Sequence, residues 1–162
     1  MRKLILILLC IFASSAIKAN TIESWRLVHP EADIPGVYAA QALFFKGHIY
    51  LIGGFNASGS VPEVHRSTNG FTWEAVTKSA SFGDLHFFTA EVFDDHMYLL
   101  GGCDSSPRAY VYRSANGADW ELVTGNAAFG GRCLHASSTF GDGMVILGGY
   151  PPAYDVWYSE DG

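Results

Sequence analysis

Gly47-His48-Ile49-Tyr50-Leu51-Ile52-Gly53-Gly54, followed after a loop by Glu63-Val64-His65-Arg66-Ser67-Thr68-Asn69-Gly70-Phe71-Thr72-Trp73, decides the fold, because the chain writes this pattern more than once. It recurs from Asp95 to Trp120 and begins again at Gly143. The paired glycines stand at Gly53-Gly54, Gly101-Gly102 and Gly148-Gly149, a period of 48 and then 47 residues. A second ruler agrees: Trp25 to Gly53, Trp73 to Gly101 and Trp120 to Gly148 each span 28 residues. Spacing varies only after the glycines, where Gly53 to Ser67 is 14, Gly101 to Ser114 is 13 and Gly148 to Ser159 is 11. A constant frame with one variable segment means a rigid structural repeat that carries one exposed loop.

Each unit reads as four short strands. The first covers 39–45, 87–93 and 134–140, and is rich in small residues (Ala39, Ala40, Ala42, Ala90, Ala136, Ser137, Ser138), as a strand crowded near a common axis needs. The second covers 49–52, 97–100 and 144–147; it is apolar on successive residues, which suits a strand covered on both faces. The third runs into Asn-Gly, a hairpin signal. The fourth opens at Trp25, Trp73 or Trp120 and carries the polar neighbours Glu74 and Glu121 of an outer strand. Four strands per unit at such a period predict an all-β chain built as β-propeller blades.

The hydrophobic run, double glycine, third-strand aromatic and fourth-strand Trp together resemble the Kelch repeat, over nearly everything after residue 22. Arg132-Cys133-Leu134-His135-Ala136 is also similar to the Arg-x-x-His opening of many Kelch blades, whereas the first two units carry Val37 and Ala40, then Leu85 and Phe88, at those positions. The resemblance implies four-stranded antiparallel blades set radially, about three of them in an incomplete ring. It specifies fold far better than activity. The stretch 67–73 also resembles the Asp-box hairpin of sialidase-type propellers, with Asn69 for the usual Asp and one residue fewer before the Gly; that hairpin is structural in its family.

Residues 1–19 read as a signal peptide: Arg2 and Lys3 open it, an apolar run follows, and Ile17-Lys18-Ala19 offers a small-residue cleavage site. Export to the periplasm or the exterior is the expectation. Removing the segment leaves 7 basic residues against 16 acidic ones and takes net charge from −6 to −9. So acidic a chain is a poor partner for nucleic acid or for an anionic membrane. Cys10 leaves with the signal, and Cys103 and Cys133 remain near one rim of the propeller. In an oxidising compartment they form a candidate disulfide; the alternative is two unrelated thiols.

The blade inventory is uneven. Residues 22–28 hold a fourth-strand Trp with no first three strands before it, residues 37–77 and 85–124 form whole units, and 132–162 supply strands one to three. Many propellers close by letting an N-terminal outer strand complete the last blade, which is the role expected of 22–28. Propellers hold 4–8 blades, so three leave the ring open. Either further blades follow downstream, which is the expected case, or a second chain closes the ring.

Ligands of propellers usually bind at the rim formed by the loops after the second and fourth strands, here 29–36, 55–62, 77–84, 103–107, 124–132 and 150–153. Candidate ligand-binding residues in or beside them are Arg132, His135, His86, Asp104, Arg108 and Asn56. Arg132 and His135 form the sharpest pair, since an Arg near the axis can fork onto a carboxylate. The competing role is bracing, in which both donate to backbone carbonyls of neighbouring blades. His48 and His96 occupy one repeat position on separate blades and read as scaffold rather than metal ligands. There is no Gly-x-Ser-x-Gly, phosphate loop or His-Glu-x-x-His. No metal and no cofactor are expected. The leading expectation is an exported binding module for carbohydrate or protein ligands. The alternative that the resemblance implies is a fragment of a sugar-processing enzyme, similar to the sialic-acid mutarotases or the copper-bearing galactose oxidases.

Overall fold

The computed structural model describes residues 25–162; the expected signal at 1–19 and positions 22–24 of the expected N-terminal strand lie outside them. In the first unit the chain forms β1 (Gln41–Phe45), β2 (His48–Ile52), β3 (Phe55–Asn56), β4 (Gly59–Ser60), β5 (Val64–Ser67) and β6 (Glu74–Thr77). The second unit gives β7 (Thr89–Phe93), β8 (His96–Leu100), β9 (Val111–Ser114) and β10 (Glu121–Thr124). The third gives β11 (Ala136–Phe140), β12 (Gly143–Leu147) and β13 (Val156–Ser159). Among the described residues there is no helix, and so none to cross a membrane.

The strands pair as antiparallel meanders, β1-β2-β5-β6, then β7-β8-β9-β10, then the three-stranded β11-β12-β13. Register repeats with the sequence: Ile52 faces Val64 as Leu100 faces Val111 and Leu147 faces Val156. In the longest of the three variable loops, β3 and β4 pair as a two-stranded ribbon of their own.

The three meanders stack face to face in chain order, with β1, β7 and β11 as neighbours. Tyr50, Ile52, Val64, Phe82, Phe88, Met97, Leu99 and Trp120 fill the first interface. Tyr98, Leu100, Val111, Phe129, Met144 and Ile146 fill the second. Alternate residues of a strand point to opposite faces. Met97 and Leu99 of β8 therefore serve one interface, Tyr98 and Leu100 the other, and the run must be apolar throughout. The outer meanders are covered on one face only: Ile49, Leu51 and Val145 are half-buried and Leu147 is exposed. No ring closes among the described residues.

The glycine doublets keep one backbone shape, with φ of 62° at Gly53, Gly101 and Gly148, then 120°, 102° and 114° at the next residue. Close approach explains the first member of the first two pairs, whereas a Cβ on Gly148 would meet only the Ala153 carbonyl oxygen at 3.6 Å, so there the positive φ alone favours glycine. A Cβ on Gly101 would sit 2.7 Å from the Arg132 carbonyl oxygen, and one on Gly53 would sit 2.9 Å from the Phe88 ring. The doublet is where the next unit's innermost segment touches the sheet.

Several boundaries differ from the sequence reading. The innermost strands begin two residues late because Ala39, Phe87 and Leu134 hold left-handed φ values of 57°, 55° and 55°, a kink that propensity does not foresee. Trp73 and Trp120 precede β6 and β10 rather than opening them. Each indole N–H donates back to a glycine carbonyl, Gly70 at 3.3 Å and Gly117 at 2.9 Å. Trp120 is 7 % exposed, whereas Trp73 is only half-buried, since among the described residues no sheet packs on that face of the first meander. The expected outer strand over 22–28 is not formed across its described part: 25–28 pair with no strand, and Trp25 is 94 % exposed. A lone segment without a sheet edge beside it has nowhere to place its backbone hydrogen bonds. Of the small residues of β11, Ala136 and Ser138 are exposed rather than crowded at an axis, while Ser137 is half-buried and donates to Glu91 of β7 at 2.6 Å.

Candidate ligand cleft

Three of the rim loops meet in one open cleft of about 680 Å³ between the first two meanders. The β3–β4 ribbon contributes Phe55, Ser58 and Ser60, the segment entering the second unit contributes Asp84 and His86, and the loop after β8 contributes Asp104 and Ser105, with Tyr110 beside it. Asn56 shapes this wall without lining it, because its side-chain oxygen accepts from the Ser58 amide at 2.8 Å and holds the ribbon's turn.

His86 is held by its surroundings. Its Nδ1 lies 2.9 Å from the Asp84 carbonyl and 3.0 Å from Ser60 Oγ. A carbonyl only accepts, so Nδ1 carries the proton and Nε2 presents a lone pair. The ring packs on Phe55 at 4.9 Å and on Phe87 at 4.7 Å. The same Nδ1-to-carbonyl bond recurs at His48 with Lys46 (3.0 Å) and at His96 with Asp94 (2.7 Å), which makes those two histidines hairpin supports.

Asp104 is the cleft's fixed charge. Burial alone would raise its carboxyl, but Arg108 Nε donates to both oxygens at 2.8 Å, and the Ser105 and Ser106 amides donate as well, which lowers it to about 2. It is ionised at any ordinary pH. Arg108 also lies 5.5 Å over the Tyr110 ring, so the cation fastens both an anion and an aromatic plate of the cleft.

Arg132 and His135 stand elsewhere. They are 5 % and 8 % exposed, buried beneath the joint of the second and third meanders. Arg132 donates to the Gly148 carbonyl at 3.0 Å, to the Phe129 carbonyl, and through both terminal nitrogens to Asp155 at 2.7 and 3.0 Å. It is a brace. His135 occupies the place against Gly101 that Phe88 occupies against Gly53, and its Nε2 lies 2.9 Å from Thr89 Oγ1. Burial, and then the neighbouring Arg132 charge, push this imidazole down to about 4.

That shift has a stability consequence. The unfolded chain would protonate His135 near its ordinary value and the fold resists doing so, so the stabilisation is whole above pH 6.5 and drains as pH falls toward 4. The loss amounts to about 3 kcal/mol across that window. His135→Phe, which installs the residue already present at Phe88, should fold and flatten that part of the curve. Urea unfolding of both proteins from pH 7.5 to 4 measures the difference; parallel curves would refute it.

Cys103 and Cys133 are joined by a disulfide, with Cα atoms 5.6 Å apart. The bond connects the residue after one doublet to the opening of the next unit, where the preceding joint has the Phe55–His86 ring contact. Among the described residues no three His, Cys, Asp or Glu side chains gather as a metal-ligand set. The sequence reading missed Phe55, Ser60 and Tyr110, since neither spacing nor residue type sets them apart from other loop residues. Compared with models of protein families and with curated proteins, the chain matches none.

Proposed function

We propose that this chain supplies blades of an exported Kelch-type propeller that acts as a binding module for hydroxyl-rich ligands, carbohydrate above all. Three stacked meanders with one strand order and one doublet geometry support the blade reading. The composition of the cleft supports the ligand. A fixed carboxylate and a histidine lone pair accept hydroxyl protons, Ser58 and Ser60 add donors, and Phe55 and Tyr110 offer apolar plates to a sugar ring. The acidic charge favours neutral or cationic sugars over anionic ones.

The observation that carries this reading is the cleft's geometry, in which Asp104, gripped by Arg108 through both oxygens, and His86 stand among Phe55, Ser60 and Tyr110. A glycan panel followed by calorimetric titration of the best hit tests this. Asp104→Asn should weaken that hit at least about tenfold, the effect of losing one charge-assisted hydrogen bond, with the far-ultraviolet spectrum unchanged. Binding indifferent to both Asp104→Asn and His86→Ala would move the site elsewhere. Net conversion of the bound sugar would favour the sugar-processing alternative.

A further inference from the structure

The loop that carries Asp104 is held from behind. Its two ends are Gly102 and Arg108, and both meet residue 132, which opens the third unit. The Gly102 amide donates to the Arg132 carbonyl at 2.8 Å, and the Arg132 amide donates to the Arg108 carbonyl at 3.1 Å. The Arg108 amide closes the loop on the Gly102 carbonyl at 2.8 Å. Cys133 adds its disulfide to Cys103, the residue before Asp104. A Cβ on Gly131 would sit 2.6 Å from the Pro107 carbonyl oxygen, so the segment 131–133 lies against the loop with no room for a side chain there.

Residue 132 is fixed in turn by its side chain, and not to the cleft. The guanidinium donates to the Gly148 carbonyl after β12, to the Phe129 carbonyl, and to Asp155 just before β13. Stability alone does not call for an arginine here. The equivalent residues are Val37 and Leu85, and all three lie against the second glycine of their own doublet: Val37 at Gly54, Leu85 at Gly102, Arg132 at Gly149. The fold thus accepts an apolar side chain at this position. An arginine 5 % exposed, with an Nε that finds no hydrogen-bond partner, is a costly substitute. What it adds is location, since a planar fork of donors tied to three acceptors fixes the main chain of residue 132.

We propose that Arg132 is a positioning residue of the cleft: anchored in the third meander, it sets both ends of the loop from Gly102 to Arg108 and so places Asp104 for the ligand. Every donor to that carboxylate belongs to the loop itself, the Ser105 and Ser106 amides, the Ser105 hydroxyl and Arg108 Nε. Moving one end of the loop against the other therefore parts donors from acceptor. The third meander contributes to recognition in this way without touching the ligand. The inference rests on the cleft as the ligand site, but its test takes the proton as probe, so a failure of sugar binding and a failure of the positioning role read out separately.

The Asp104 carboxyl carbon is followed by NMR from pH 7 to 4.5 in the full, carbon-13-labelled chain. In the wild type the resonance should stay flat, because the loop's donors hold this carboxyl at about 2. Arg132→Leu installs the residue already present at Leu85 and should fold. Its carboxyl should rise toward the ordinary 3.8, which leaves about one-sixth protonated at pH 4.5. Gly131→Ala keeps the arginine but pushes on Pro107, and should raise the carboxyl as well. Ser137→Ala is the contrast: it removes a bond of the same joint outside the loop, to Glu91 at 2.6 Å, and should leave the resonance flat. A flat resonance in folded Arg132→Leu would overturn the proposal; if that variant does not fold, a flat resonance in Gly131→Ala overturns it. An equal rise in Ser137→Ala, or a wild-type carboxyl that already titrates in this range, would do the same.

Discussion

Phe88→Ala should destabilise the protein by about 4 kcal/mol, the range for emptying a buried aromatic position. The ring is 2 % exposed and is among the largest fully buried side chains. It lies across the first doublet, where a Cβ on Gly53 would meet it at 2.9 Å, and packs edge-on against Phe82 at 5.8 Å, which in turn meets Trp120. Deleting it leaves a void under a backbone that cannot collapse, because that backbone is the doublet itself. Phe71→Ala removes the same atoms from a side chain 44 % exposed in the β5–β6 loop and should cost well under half as much. Urea midpoints of the two variants make the comparison. Equal losses would mean that the joint of the first two meanders is not the core of the molecule.

The second large effect belongs to the other joint. Breaking the Cys103–Cys133 bond, which closes a separation of 30 residues, should cost about 3–4 kcal/mol in the chain-entropy account. The bond spans neighbouring meanders, so its loss frees one sheet against another rather than loosening a loop. Denaturant unfolding with and without reductant measures it, with the Cys103→Ser, Cys133→Ser double variant as the control that reductant should leave unmoved. A wild-type midpoint insensitive to reductant would show the thiols unbonded in solution.

The two joints show how one repeat position can be satisfied by different chemistry. Phe55 and His86 meet as rings; one unit later a covalent bond takes their place. Phe88 and His135 likewise fill equivalent hollows, one apolar, the other an imidazole held neutral. This separates what was legible in the sequence from what was not. Spacing located the doublets, the indoles and the strand order, because those positions must recur whenever the same backbone does. Residue type alone made Arg132 and His135 attractive as ligands, although packing had turned both into braces, and passed over Tyr110 and Ser60, whose interest comes from what stands opposite them.

By itself the sequence determined an all-β chain of repeated antiparallel strand units, since a period of 48 and then 47 residues with fixed internal spacing must recur in the backbone. Only the tertiary structure decided which loops share a cleft, and that Asp104 and His86 line it while Arg132 and His135 lie buried under the next joint. The physical reason is range. Hydrogen-bond register and side-chain alternation are local and print themselves on the chain, whereas a cleft is made by residues far apart in sequence, brought together by the stacking of sheets.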